Sequence, residues 1–162
     1  MKRYLYLSLA MAAVMCLTGQ LFRGAAQTPT HPTHVFTPSS IQWGPAPPLV
    51  PPGAQFAVLE GDPTATTGDY TIRLRMPDGY RIPPHWHPLR ENVTVISGTF
   101  ALGMGDVFDV DKMKSVPAGT FAFLDPDMHH FAMAHGEAIV QVHGASPLQF
   151  NYINPQDDPS KK

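Results

Sequence analysis

Alternation of apolar and polar residues dominates the middle of the chain. From Tyr70 to Met76, apolar residues alternate with Thr71, Arg73 and Arg75. A period of two predicts a strand with one buried face. Further β-rich runs lie at residues 56–60, 93–96, 99–104, 120–124, 131–134 and 138–143. Glycine- or proline-containing turns separate these runs, so the pattern predicts an all-β fold, a sandwich or a barrel.

The amino-terminal end has a different pattern. Lys2 and Arg3 precede an uncharged run over residues 4–22, and small residues follow at 24–26. A basic start, an apolar middle and a small-residue end are typical of a secretory signal peptide. We therefore expect residues 1–26 to be removed and the protein to be exported, either to a periplasm or out of the cell.

A retained membrane anchor is the alternative for this segment, because the uncharged run is nearly long enough to span a bilayer. Thr18, Gly19 and Gln20 weaken the last third of the run, which favours cleavage. After cleavage we expect no stable association with a membrane.

Residues 27–52 form a proline-rich lead, with eight prolines between Pro29 and Pro52. Proline lacks the backbone donor and fixes φ, so this lead can be neither a helix nor a central strand. The strand pattern begins after it. The sequence predicts one domain over residues 53–154, followed by a polar tail over residues 155–162.

The composition of the chain limits the classes of partner that it can bind. The chain has 162 residues, which suits one domain. Its one cysteine, Cys16, lies in the predicted signal peptide, so the mature chain has neither a disulfide nor a thiolate ligand. Removal of the signal leaves eight basic and thirteen acidic residues, a net charge of −5 with histidines neutral. This balance argues against a nucleic-acid or anionic-membrane partner.

The candidate chemistry lies between Gly79 and Gly98. His85 and His87 are two residues apart, so on an extended backbone both imidazoles point to the same side. Glu91 follows a turn and can bring a carboxylate to the same point. Two imidazoles and a carboxylate suit Mn, Fe, Co, Ni, Cu or Zn. An ordinary pair of strand histidines is the alternative, and the spacing to Glu91 and the flanking glycines argues against it.

These residues resemble the cupin superfamily. The string G-x5-H-x-H-x3-E-x6-G is the first cupin signature, and residues 79–98 match it without a gap. The resemblance implies a jelly-roll barrel of two antiparallel sheets. It also implies that His85, His87 and Glu91 bind one divalent transition metal ion.

The second cupin signature, G-x5-P-x-G-x2-H-x3-N, supplies the fourth ligand in this resemblance. Alignment on His130 places Asp125, Asp127 and Ala134 where the signature has proline, glycine and asparagine. His129 is the competing residue. Adjacent strand residues face opposite sides, so only one of the two histidines can point inward. We assign the ligand to His130.

Two further polar residues are candidates for the site. Gln141 and His143 alternate with valines and therefore share one face. If that face is inward, they could orient a metal ligand or bind substrate. If it is outward, they form hydrogen bonds at the rim.

Two functions remain open from the sequence. The favoured one is a metal-dependent enzyme, of the oxygenase or oxidoreductase type, that acts on a small organic molecule. The other is a non-catalytic binding or sensing protein whose ion is structural or holds a ligand. Cupins are often dimers, so a homodimer is also an expectation from the resemblance.

Overall fold

The structure is a computed structural model that describes residues 33–162. The predicted signal peptide lies outside the described residues. All strands of this part of the chain belong to one compact unit, Phe36–Lys162. They are β1 Gly44–Pro45, β2 Gln55–Gly61, β3 Asp69–Met76, β4 Arg81–Trp86, β5 Glu91–Met104, β6 Lys114–Pro117, β7 Phe121–Leu124, β8 His130–Ala145 and β9 Asn151–Tyr152.

All strand pairs are antiparallel, and two long strands, β5 and β8, run through both layers of the fold. The first layer has the order β1-β2-β3-β8-β5-β7 and uses residues 138–145 of β8. The second has the order β9-β4-β8-β5-β6 and uses the amino-terminal part of β8. This jelly-roll arrangement of antiparallel sheets confirms the fold class predicted from the sequence.

Two glycines bend the long strands β5 and β8 where these pass between the layers. Gly98 in β5 has φ 74° and Gly136 in β8 has φ 70°. The β5–β8 register shifts at this level, from Ser97 opposite Ile139 to Thr99 opposite His135. The sequence predicts turns at both positions, but the structure has bulges within continuous strands. A bulge bends a strand without ending its pairing.

The core lies between the two layers and follows the alternation. Ile72 and Leu74 of β3 are buried, as are Val140 and Val142 of β8, whereas their neighbours face outward. Burial of these side chains on one face of each strand is what the period-two pattern predicts.

The part of the proline-rich lead that the structure describes packs against the barrel. β1 pairs with β2, and Ile41 and Val50 are buried at 7% and 6% exposure. The side chain of Tyr152 donates a hydrogen bond of 2.7 Å to the carbonyl of Leu49. The end of the chain forms two short 3-10 helices, Pro155–Asp157 and Pro159–Lys161.

β4 carries two prolines and is nevertheless a paired strand. The register between β4 and β8 shifts between Ile82 and His85, and Pro83 and Pro84 lie in that gap. Prolines are tolerated there because no ladder hydrogen bond needs their missing donor. Among residues 33–162, no helix is long and apolar enough to cross a membrane.

Candidate metal centre

Four side chains, two of them from the end of β4 and the residues after it, converge at one side of the barrel. His85 lies near the end of β4, His87 follows that strand, Glu91 begins β5 and His130 begins β8. His85 and His130 are directly opposite each other in the β4–β8 ladder. All four are buried, with no more than 9% exposure. The structure therefore brings together all four residues that the sequence predicts as ligands.

Each histidine is oriented by a main-chain carbonyl. The Nδ1 atoms of His85, His87 and His130 lie 2.7, 2.6 and 2.9 Å from the carbonyl oxygens of Pro83, Gln149 and Met128, respectively. A carbonyl can only accept a hydrogen bond, so Nδ1 carries the proton in each ring. Nε2 is then the atom with a free lone pair, as in a metal-binding imidazole.

The three histidines form a compact cluster, and the Glu91 carboxylate lies close to two of them. Glu91 Oε2 lies 3.6 Å from His87 Nε2 and 3.5 Å from His130 Nε2. Ligand atoms of His85, His87 and His130 all lie within 4.8 Å of one another. Donors that each bind one ion at about 2.0–2.2 Å are themselves roughly 3–4 Å apart. The cluster thus has the dimensions of a transition-metal site.

The Nε2 atom of His87 gives an independent sign of a missing partner. It is buried and makes no hydrogen bond. A buried polar atom without a partner destabilises the folded protein by about 1–3 kcal/mol. A metal ion bound at this point would satisfy it. The donor set and this atom both fit a bound ion.

The protonation states also suit a metal. Burial, reinforced by His130 and His87, holds the pKa of His85 well below its ordinary value, and burial lowers the pKa of His87. Burial alone would raise the pKa of Glu91, but attraction to the His87 and His130 rings lowers it to about 2. The Glu91 carboxyl is therefore ionised at neutral pH, and burial favours the neutral form of the His85 and His87 rings. A carboxylate and neutral imidazoles are the forms that bind metal.

The two adjacent histidines separate as strand alternation predicts. His130 is 2% exposed and lies in the cluster, whereas His129 faces outward and contacts Asp106 through Nδ1 at 2.5 Å.

Asp127, at the glycine position of the second signature, has φ 63°. Its N–H group donates to the carbonyl of His87 at 2.9 Å. The chain therefore keeps a left-handed turn here without glycine.

Ala134, at the asparagine position of the signature, pairs through its backbone. Its N–H group donates to the Tyr80 carbonyl at 2.9 Å, and its carbonyl accepts from the Gly79 N–H group at 3.0 Å. The contact between β8 and the Gly79 turn consequently needs no asparagine side chain.

Gln141 and His143 lie on the outer face of β8, which is the outward of the two alternatives, and they do not line the site. Val140 and Val142 face the interior, and alternation forces their neighbours outward. Gln141 Oε1 accepts a hydrogen bond of 3.1 Å from Arg73 Nε. The ring of His143 stacks on Phe121, with centroids 6.4 Å apart.

Sequence reasoning missed two contributions from the segment after β8. Gln149 supplies the carbonyl that orients His87. The Phe150 ring packs against His85 and His87, with centroid distances of 4.7 and 4.6 Å. No local pattern marks either residue, because their roles depend on the pairing of β9 with β4, which brings Tyr152 opposite His85.

An apolar cavity lies between the layers next to the cluster. The empty space within it and at its opening to solvent together amounts to roughly 800 Å³, and His85, Glu91 and His130 form part of its wall. The barrel supplies most of the remaining wall, and Pro47, Leu49 and Val50 of the proline-rich lead complete it. The fold and the buried histidine–carboxylate cluster together define a cupin-type barrel with a candidate metal site.

The comparisons with known proteins agree with this class. The sequence profile of the family described as the ChrR cupin-like domain matches residues 31–148. The chain therefore belongs to the ChrR cupin-like family, within the cupin superfamily. No curated protein sequence is significantly similar to the chain.

Solved cupin structures share the fold at low sequence identity. The polyketide cyclase RemF from Streptomyces resistomycificus has a TM-score of 0.60 and 14% identity, over 80% of this chain and 91% of that one. An RmlC-like cupin from Ralstonia eutropha has a TM-score of 0.56 and 16% identity, over 74% and 72%. An RmlC-like cupin from Shewanella frigidimarina has a TM-score of 0.53 and 16% identity, over 70% and 91%.

Proposed function

We propose that the protein is an exported, metal-dependent enzyme that acts on a small organic molecule. In this proposal His85, His87, Glu91 and His130 bind one divalent transition metal ion. The observation that carries it is the fixed tautomer of three imidazoles, whose Nε2 atoms are free beside the Glu91 carboxylate. Export rests on the basic and apolar pattern of residues 1–26.

The ion would supply Lewis-acid or redox chemistry to a substrate oxygen, which favours an oxygenase or another oxidoreductase. The protein's own part is positional. The carbonyls of Pro83, Gln149 and Met128 hold the rings in one orientation, and Glu91 offsets part of the charge of the ion. The apolar wall would shield much of the substrate from water.

A non-catalytic binding or sensing cupin is the second candidate, and the cavity itself favours it. Apart from the proposed ligands, Thr120 is the only polar residue in the cavity wall within the described chain. No further side chain there has a pKa suited to general acid–base catalysis at neutral pH. A sensor needs only retention of the ion and its ligand.

The first test is the metal content of the purified protein, measured by mass spectrometry with the Glu91→Gln variant in parallel. We expect about one equivalent of Fe, Mn, Ni, Co, Cu or Zn in the wild type. The variant removes the charge but keeps the shape, so its metal content should fall while its circular dichroism is unchanged. A wild-type protein that takes up none of these metals on reconstitution would contradict the proposal.

Turnover separates the two candidates. The reconstituted protein is screened for oxygen consumption with small ketones, phenols and diols, with Asp106→Asn as the matched carboxylate control. Asp106 lies on the surface beside His129, away from the cluster. Activity that depends on the metal and disappears only in Glu91→Gln supports an enzyme. Tight ligand retention without turnover for any metal supports a sensor.

A further inference from the structure

Apart from Thr120, the residues that line the cavity away from the proposed metal centre are apolar. β3, β5 and β8 contribute aliphatic side chains from the first layer, and β4 and the far half of β5 contribute from the second. Among the described residues that line the cavity, none is lysine or arginine, and Glu91 is the one carboxylate. A charged group placed away from the centre would find no counter-ion there.

The proline-rich lead closes one side of this cavity and is held in place. Pro47, Leu49 and Val50 line it. The Leu49 carbonyl accepts a hydrogen bond from Tyr152, and the Leu49 N–H group donates to the Pro47 carbonyl at 2.7 Å. Tyr80 also donates to the carbonyl of Pro51. The segment is thus a fixed part of the wall and adds further apolar surface.

We propose that the ligand of this cavity is a compound with oxygen atoms at one end and an uncharged, apolar remainder. This inference rests on the proposed function, because the oxygen-bearing end meets the metal. The remainder lies against the aliphatic wall and the proline-rich lead. Sugars, phosphates and dicarboxylates are disfavoured, because a buried polar group without a partner costs about 2–7 kcal/mol and an unpaired charge costs more.

The test compares two carboxylates of the same ring. Both 4-methylbenzoate and terephthalate can place one carboxylate on the metal, and they differ in the methyl or carboxylate group at the far end. We expect calorimetric titration of the zinc-loaded protein to show binding of 4-methylbenzoate at least tenfold tighter than that of terephthalate. Equal affinities, or no binding of 4-methylbenzoate to protein that holds zinc, would overturn the inference.

Toluene separates the inference from the proposed metal site. It has no oxygen, so its binding to the chelated protein reports the apolar cavity alone. Binding is expected with similar affinity in the chelated and zinc-loaded forms. A protein that fails to take up zinc would contradict the proposed function. In that case, toluene binding would support the apolar cavity, and its absence would overturn it.

A matched pair of variants tests the wall. Leu49→Trp places a larger side chain in the cavity, whereas Val58→Trp introduces the same residue at a position on β2 that is 47% exposed. Leu49→Trp should weaken 4-methylbenzoate binding at least tenfold with zinc content unchanged, and Val58→Trp should leave both unchanged. If Leu49→Trp does not fold, Ala122→Leu narrows the cavity from the edge strand β7 and should weaken binding likewise. Full binding by both cavity variants would contradict the inference.

Discussion

The inner and outer histidines of the barrel are chemically identical side chains in opposite environments. His85, His87 and His130 are buried and donate through Nδ1 to main-chain carbonyls. His129 lies on the surface and contacts the Asp106 carboxylate, and His143 lies outside against an exposed phenylalanine. The difference shows that the face of a strand decides whether a histidine can be a ligand. The predictions below test how far the inner side of this boundary differs from the outer side.

The largest expected effect is a difference in metal affinity between substitutions of the adjacent residues His129 and His130. His130→Ala removes a nitrogen from the cluster and should weaken metal binding by on the order of a hundredfold or more. His129→Ala removes only the surface contact with Asp106 and should bind metal as the wild type does. Competition against a chromophoric chelator measures both affinities. A larger loss in His129→Ala would reverse the assignment of the ligand.

Metal removal should destabilise the protein through the inner ligands and leave the outer histidines unaffected. An ion that binds only the folded state contributes about 4 kcal/mol at a free concentration a thousand times its Kd. We therefore expect a chelator to lower the thermal midpoint of the wild type by several degrees. His143→Ala should show the same decrease as the wild type, because its ring lies outside the cluster. An unchanged wild-type midpoint would argue against a bound ion.

A smaller effect, on the free energy of unfolding, is expected for substitutions at two adjacent residues in the carboxyl-terminal half of β8. Val140 is 2% exposed and lines the cavity, so Val140→Ala should reduce the free energy of unfolding by about 2 kcal/mol. Gln141 faces outward, and Gln141→Ala should change it by less than about 0.5 kcal/mol. Urea denaturation measures both values. Similar decreases in the free energy of unfolding for the two variants would show that the outer face is also tightly packed.

The smallest effect is expected next to Glu91 in the sequence. The guanidinium of Arg90 contacts Asp125 Oδ1 at 2.6 Å, and both side chains are about half exposed, at 55% and 50%. An exposed ion pair contributes about 0–1 kcal/mol, so Arg90→Ala should lower stability by no more than this. Its metal affinity should equal that of the wild type. A marked loss of metal would mean that the pair positions the turn that carries Glu91.

Strands β2, β3, β5, β7 and β8 correspond to β-rich runs in the sequence, because alternation along a strand is a local property. The short strands β1, β6 and β9 have no such run. Strand β4 was not among the predicted strands, since Pro83 and Pro84 are rare in paired strands. The structure accommodates them at a register shift. Gly98 and Gly136 mark real bends, but whether a bend ends a strand depends on its partner, and that information is not local.

The four proposed ligands were predictable because the spacing from His85 to Glu91 is short and His130 follows from a second pattern. Their surroundings were not. The Gln149 carbonyl and the Phe150 ring reach the cluster only through the pairing of β9 with β4. The same limit left the orientation of Gln141 and His143 open. Their shared face was correct, but only the position of β8 between β3 and β5 shows which face is inside.

The main-chain anchors of the three histidines have a consequence for how the protein can evolve. Every amino acid has a carbonyl, so substitutions at Met128 and Gln149 can accumulate without loss of the acceptors that orient His130 and His87. Divergent descendants could keep the same imidazole geometry while the residues around it drift. Preservation of the centre therefore requires the ligand residues and the path of the backbone, but not the side chains of the residues whose carbonyls orient the rings.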